Sequence, residues 1–535
     1  MRQKIGRNKK YSPNLTVEKI LGRYIMDVVD NWKICRRERS YEMGCTTLLV
    51  GKNASYDGST IMARDDDSGS DDFNFKKFEV VMPEDQPRHY HSVLSDFEID
   101  LPDQPMRYTE TPDAVQKVGG YWGQGGINEV NVSMTATETI TSNAMVQGAD
   151  PMVPDGFGEE DMPTLVLPYI HSAREGVERL GSLLEQYGTY EMNAVGFQDV
   201  NEIWWLETIG GHHWIAKRVP DDEYVVMPNQ QGIDSFDFSD AFGAREHHMC
   251  SSDMIEFIEK YHLDRTMDLD KEEKDLRKVT DFDARGAFGS HDDADHTYNT
   301  PRAWFILRYL NPNTFTWEGP DADFTPMSDN MPWSLVPERK ISIEEVKYAL
   351  SGHYQNTEYD PYGGFGPEEW REKFRPIGIN RNAVLSVTQI RPYMPEEIRC
   401  LQWVAFGSNA FNALVPFYTN VEDTPEYMKN TTAKVSTDSF YWSNRLIAAL
   451  ADPHFQQCAN LIEQYQNKVA YESHRHIHES DDAFTGEKPQ NVCRFLEERN
   501  QKMSDFTQEC TDDLMDKVLF TVSMQMRNKF SRSDA

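Results

Sequence analysis

Two neighbouring stretches carry side chains that could do chemistry together. Residues 43–51, Met-Gly-Cys-Thr-Thr-Leu-Leu-Val-Gly, form a short apolar, β-branched run that reads as a strand closed by Gly51. Residues 57–68, Asp-Gly-Ser-Thr-Ile-Met-Ala-Arg-Asp-Asp-Asp-Ser, read as a second strand opened by the turn pair Asp57-Gly58 and closed by polar residues. The five residues between them are short enough for a hairpin connection. Such a hairpin brings Cys45, at the start of one strand, near Arg64 and Asp67, at the end of the other. A thiol, a guanidinium and a carboxylate in one corner could support nucleophilic attack by sulfur. The plainer reading is that Cys45 is a buried core cysteine, the usual fate of a free thiol.

The Cys-Thr-Thr start, the Asp-Gly-Ser-Thr turn and the Ala-Arg-Asp-Asp-Asp-Ser end resemble the opening pattern of the dipeptidase A family of cysteine peptidases, within the N-terminal nucleophile hydrolases. The resemblance continues through residues 126–143, 201–233 and 375–425, so it covers most of the chain after Cys45. It implies a nucleophile that is the first residue of the mature chain and uses its own α-amine as proton acceptor. A free α-amine has a pKa of roughly 7.7–8.0 and a thiol of roughly 8.5, so the transfer is nearly balanced at neutral pH. Cys45 can act this way only if the bond Gly44-Cys45 is cut. Residues 1–44 are then a propeptide, or an over-extended N-terminus with Met43 as the true start; both expose Cys45. Gly44 suits self-cleavage, because glycine tolerates a strained backbone.

The resemblance further implies a four-layer α/β/β/α sandwich with helical elaborations and hydrolysis of dipeptides through a thioester acyl-enzyme. It gives Arg64 the task of holding the thiolate or a substrate carboxylate. Asp67 would orient the free α-amine, with Asp66 the weaker candidate; a structural salt bridge is the alternative for Arg64 and Asp67. Asn229, after the run 224–227, matches the asparagine that donates to the tetrahedral oxygen; a strand-end turn asparagine is the alternative. In the related bile-salt hydrolase group an asparagine lines the site where this chain has Thr137-Glu138, so a polar, substrate-facing residue is expected at one of these two; an ordinary strand-end glutamate is the equal alternative. The alternative activity is an acylamino-acid or conjugated bile-salt amidase on the same scaffold. The resemblance implies no cofactor and no metal.

The whole chain bounds the reading. Its 535 residues carry 54 Lys+Arg against 88 Asp+Glu, a formal net charge of -34. Such a surface repels phosphate backbones and anionic lipid, which argues against nucleic acid and membrane partners. No stretch approaches the roughly 18 apolar residues of a membrane span. Seven widely spaced cysteines without Cys-x-x-Cys argue against a disulfide framework and for a reducing, cytoplasmic setting. The oligomeric state is left open, a homo-oligomer included. His474 and His478 would share a helix face, but no His-Glu-x-x-His pattern is present, and an exposed polar helix is the expectation there.

Further strands are expected near residues 73–82 and 130–136, and three successive ones at 202–206, 212–219 and 224–227 read as a meander. A helix is expected over 164–187, stopped by Gly188, and another over 301–310. Residues 45–425 form the expected catalytic domain. Residues 236–301 read as a charged insertion outside the catalytic core, and 426–535 as a helix-rich C-terminal extension.

Overall fold

The computed structural model describes residues 44–69, 73–115, 121–135, 138–267 and 275–529. Residues 1–43 of the expected propeptide, and Thr137, lie outside the described residues.

The hairpin forms. Strand β1 (Cys45–Val50) pairs antiparallel with β2 (Thr60–Asp67), Cys45 opposite Asp66 and Thr47 opposite Arg64. The connection turns at Gly58, whose φ of 87° lies in the left-handed region that glycine adopts without a Cβ clash. Asp57 fixes the turn by accepting from the Ser59 N–H at 3.0 Å. This hairpin is the centre of a seven-stranded sheet. Tyr224–Met227 lies on the β1 side, with Ser334–Leu335 beyond it; Asn382–Ile390, Cys400–Phe406 and Val415–Tyr418 follow on the β2 side. A second, nine-stranded sheet contains Glu79–Val81, Tyr108–Glu110, Gly125–Asn128, Ser133–Thr135, Glu138–Thr139, Asn193–Gln198, Ile203–Ile209, His213–Arg218 and His248–Cys250.

Because successive residues of a strand point to opposite faces, each strand of the hairpin serves two cores. Leu49 and Met62 enter the core between the sheets with Trp205, Ile209 and Ile215. Leu48, Val50, Ile61 and Ala63 pack on the other side, against Trp304 and Phe305 of the helix Thr300–Leu310 and Val346 of the helix Ile343–Ala349. The outer face of the nine-stranded sheet is covered by Ala173–Tyr187, through Val177, Leu180 and Leu184. The result is the expected four-layer α/β/β/α sandwich. The helices Phe440–Ala451, Phe455–Gly486 and Val492–Ser523 add a further core with Val404, Phe406 and Phe417.

Some local expectations are corrected. The three strands after residue 202 are not one meander. Ile203–Ile209 and His213–Arg218 pair with each other, but Tyr224–Met227 crosses to the other sheet and pairs with β1. The strand expected over 130–136 starts only at Ser133, because Asn131 adopts a φ of 64°. The expected helix over 164–187 is broken. Met162–Val166 gives way to a tight turn at Leu167–Tyr169, which contains Pro168, and Ala173–Tyr187 restarts on the Ser172 cap.

Candidate active site

Strand alternation sorts the charged end of β2. Arg64 and Asp66 share the inter-sheet face with Cys45, whereas Asp65 and Asp67 point to the helix-covered face. Cys45 is buried. Arg64 Nη2 donates to its Sγ at 2.9 Å, and Asp66 Oδ1 lies 3.6 Å from the same sulfur. The Arg64 guanidinium also donates to Gln124 Oε1 at 2.7 Å and lies 3.1 Å from Asp66 and 3.4 Å from Glu159. Behind Asp66 stands the buried Lys76, with its Nζ 3.0 Å from Asp66 Oδ2 and 2.7 Å from Asp113 Oδ1. Burial opposes the charge of Asp66, yet Lys76 and Arg64 outweigh it and hold the carboxyl below the ordinary range. Lys76 is held above its ordinary range, because Asp113 and Asp66 together overcome its burial.

Asn229 reaches Cys45 because Tyr224–Met227 runs beside β1, with Met227 opposite Thr47. Its Oδ1 accepts from the Cys45 backbone N–H at 3.0 Å and from Arg302 Nη2 at 2.8 Å. With that oxygen occupied, the donor edge of Asn229 is Nδ2. Arg302 is fully buried and ties this end of the site together. It donates to the Cys45 carbonyl, to Thr46 Oγ1 at 2.8 Å and to Asn299 Oδ1 at 2.6 Å. Asn299 in turn donates to the Asn229 carbonyl at 3.0 Å.

On the helix-covered face, Asp67 pairs with Arg375 and accepts from Asn382 Nδ2 at 2.7 Å. Arg375 Nη2 also lies 3.4 Å from the Gly44 carbonyl oxygen and so links Asp67 to the residue before Cys45. Gly44 has no room for a side chain: a Cβ there would meet Tyr298 Oη at 2.2 Å and Arg375 Nη2 at 2.8 Å. Glu138 lies on its short strand opposite Ala194.

The structure therefore brings Cys45, Arg64 and Asn229 into direct contact. It puts Asp66, not Asp67, against the thiol. Sequence reasoning missed Lys76, Gln124, Glu159, Tyr298, Asn299, Arg302 and Arg375. Tyr298 and Asn299 belong to the segment read as an insertion outside the catalytic core, and that segment in fact supplies one wall of the site. The one available signal was Arg302 itself, a charged residue heading the apolar run Ala303 to Leu307. The His474 ring engages Glu344 at 2.6 Å.

A family model described as "Peptidase family C69" matches residues 44–468, a span that begins one residue before the buried thiol. The chain belongs to peptidase family C69. It is thus a peptidase, a hydrolase of peptide bonds. The chain is 51% identical to a dipeptidase of Bifidobacterium longum over 92% of its own length and all of the relative's. It is 52% identical to a probable dipeptidase A of Streptococcus pyogenes, again over 92% of this chain and all of that one. Dipeptidase A of Lactobacillus helveticus is 45% identical, with 89% of this chain and 96% of the relative covered. Among solved structures, a conjugated bile acid hydrolase from Clostridium perfringens is 11% identical, with 70% of this chain and 92% of that one covered at a TM-score of 0.32. Among the described residues no helix is long and apolar enough to cross a membrane.

Proposed function

We propose that this C69 peptidase is a cysteine dipeptidase whose nucleophile is the Cys45 thiol, made competent by removal of residues 1–44. The observation that carries the reading is the double engagement of one residue. Arg64 holds the Cys45 sulfur at 2.9 Å, and Asn229 Oδ1 holds its nitrogen at 3.0 Å. A cation on the sulfur favours the thiolate, which is the attacking species. An acceptor on the nitrogen suits an α-amine that must be aimed before it can take a proton.

In the proposed cycle the α-amine of Cys45 removes the thiol proton and the sulfur attacks the substrate carbonyl. Asn229 Nδ2 donates to the tetrahedral oxygen. The intermediate collapses to a thioester on Cys45, and the amine proton passes to the departing amino acid. Water, activated by the same amine, then releases the N-terminal residue. Asp67 lies one guanidinium from the residue that leaves on maturation, and its charge orients the new α-amine. Thr137 and Glu138 are the proposed polar contacts to substrate. Cys250, Cys400, Cys458, Cys493 and Cys510 form no disulfide among the described residues, which suits a cytoplasmic setting.

A panel of dipeptides, acylated amino acids and conjugated bile salts tests the activity. Dipeptides should be cleaved fastest; turnover of the acyl conjugates alone would replace this reading with the amidase one. Intact mass should show a chain that begins at Cys45, and Cys45→Ala should remain unprocessed. Iodoacetamide should abolish activity and EDTA should leave it unchanged, because thiol and amine suffice for every step.

A further inference from the structure

The helix layer over the seven-stranded sheet holds a groove of about 780 Å³, on the side of the sheet away from the Cys45 thiol. One wall is the helix Ile343–Ala349 and the other the long helix Phe455–Gly486. A single loop ties the two walls together. From the first, Lys347 Nζ donates to the Asn409 carbonyl at 2.6 Å and to Ser351 Oγ at 2.8 Å. From the second, Gln466 Nε2 donates to the Asn412 carbonyl at 2.9 Å and to the Ala410 carbonyl at 3.3 Å. The groove also carries the stacked rings of Tyr362 and Phe455, with centroids 3.9 Å apart, and the exposed rings of Tyr348 and Phe365.

Most of the charged groups on these walls are already matched. Glu344 meets His474, Glu345 caps its own helix and pairs with Arg339, and Asp360 meets the His353 ring. Two are not. Lys347 is half-buried and its amine donates to neutral acceptors only; no carboxylate among the described residues pairs with it. Burial pushes that amine down to about 7, while Asp65, held behind it by Asn409, pulls the other way. An amine withdrawn from water in this way gains its charge back when an anion is brought to it. Glu463 precedes Gln466 by one turn, on the same side of its helix. It is exposed and forms no ion pair or hydrogen bond among the described residues. The groove thus presents an amine on one wall and a carboxylate on the other, too far apart to pair with each other, beside an aromatic surface.

We propose that this groove binds one free amino acid with an aromatic side chain, the class of product that a peptidase releases, at a second site apart from Cys45. The ligand carboxylate meets Lys347, its ammonium meets Glu463, and its ring packs on the aromatic surface. The zwitterion is selected by charge. A fatty acid or phosphate brings no cation to Glu463, and a polyamine brings no anion to Lys347.

Isothermal titration calorimetry on enzyme alkylated at Cys45 with iodoacetamide tests the site without turnover, so the outcome is independent of the dipeptidase reading. L-phenylalanine should bind once per chain. Phenylalaninamide, which lacks the carboxylate, should bind at least about tenfold more weakly, as for the loss of a hydrogen bond to a charged group. N-acetyl-phenylalanine, which lacks the ammonium, should lose about threefold, because Glu463 is exposed. L-alanine should bind more weakly than phenylalanine. Lys347→Met should bring phenylalanine down to the level of the amide and leave the amide where it was; Glu463→Gln should erase the difference between phenylalanine and its N-acetyl form. The ligand series on wild type needs no variant, so it stands even where Lys347→Met fails to fold. The absence of saturable heat with phenylalanine would overturn the proposal. So would equal affinity for phenylalanine and its amide, equal affinity for alanine and phenylalanine, or phenylalanine binding that Lys347→Met leaves unchanged.

Discussion

Asp66 Oδ1 lies 3.6 Å from the Cys45 sulfur, while its second oxygen lies 3.0 Å from the buried amine of Lys76. The negative charge of Asp66 opposes thiolate formation, and Arg64 favours it. Asp66→Asn should therefore let the thiol ionise at lower pH, by at least about one unit for charges this close at an effective dielectric near 20. The pH dependence of Cys45 alkylation measures this; an unmoved profile would show that Asp66 does not act on the sulfur. The same substitution leaves Lys76 with Asp113 alone and should destabilise the fold by roughly 3–5 kcal/mol, the usual loss when a buried pair is broken. The carboxyl of Asp66 is held low in the folded state, so its contribution is present above the unfolded carboxyl pKa of about 3.9 and is lost as pH falls through the folded value. The gap in Tm between wild type and variant should narrow in acid.

Asp67→Asn should act on a different proton. On the proposed cycle its charge stabilises the protonated α-amine of Cys45, so its loss lowers the amine pKa. The free amine is the working base, so the acidic limb of the kcat/KM profile should move to lower pH, while the rate falls because the amine is less well aimed. A profile that keeps its shape would reduce Asp67 to a structural partner of Arg375.

These two adjacent carboxylates show how far the sequence could be read. The hairpin was legible because an apolar, β-branched run, an Asp-Gly turn and a second apolar run leave little choice locally. Neighbouring positions on a strand must serve opposite faces, but which of them meets sulfur depends on the register Cys45–Asp66, and a residue string does not state that. Asn229 was legible as a polar strand end. That its strand leaves one sheet for the other, and so reaches β1, was not, since period-two patterning is the same in both. Arg302 and Arg375 meet residues 45 and 44 across 257 and 331 positions of chain. Their partners are backbone carbonyls, amides and a distant carboxylate, which leave no local spacing to read.

Asn229→Ala should lower kcat by about 100-fold or more with a smaller effect on KM, because a donor to the tetrahedral oxygen is worth most in the transition state. Loss of Oδ1 also frees the Cys45 nitrogen and one Arg302 donor, so maturation should slow as well. The rates must therefore be compared on fully processed chains. A processed variant with wild-type kcat would make Asn229 a turn residue and shift the oxyanion donor elsewhere.

On the proposed maturation, Gly44→Ala should slow or block removal of residues 1–44. The added carbon would fall 2.2 Å from Tyr298 Oη and 2.8 Å from Arg375 Nη2, closer than atoms can approach. Tyr298 is itself held, its hydroxyl accepting from Arg381 Nη2 at 2.7 Å. Either these two side-chain ends or the backbone at residue 44 must then shift. Intact mass over time after synthesis measures the effect. Cleavage at the wild-type rate would show that this packing is absent when the bond is cut.

Glu110 makes stability fall with rising pH. Burial, which outweighs the hydrogen bonds it accepts, pushes its carboxyl up to about 7. Its Oε1 accepts from the backbone N–H of Gln124 at 2.8 Å and of Gly125 at 3.3 Å, which supports the residue that receives Arg64. Between the ordinary carboxyl pKa of about 4.3 and pH 7 the folded state binds the proton that the unfolded state has released, so stability drops as pH rises through that window and stays low above it. The loss amounts to roughly 2–4 kcal/mol for a shift of this size. Glu110→Gln keeps an oxygen acceptor for the two N–H groups and cannot ionise. Its Tm relative to wild type should therefore be higher at pH 8 than at pH 5. Glu207 is likewise pushed up to about 7, by burial, so wild type and Glu110→Gln should both still decline, the variant less steeply. A Tm difference that stays flat from pH 5 to pH 8 would show that Glu110 titrates normally and that water reaches the floor beneath Arg64.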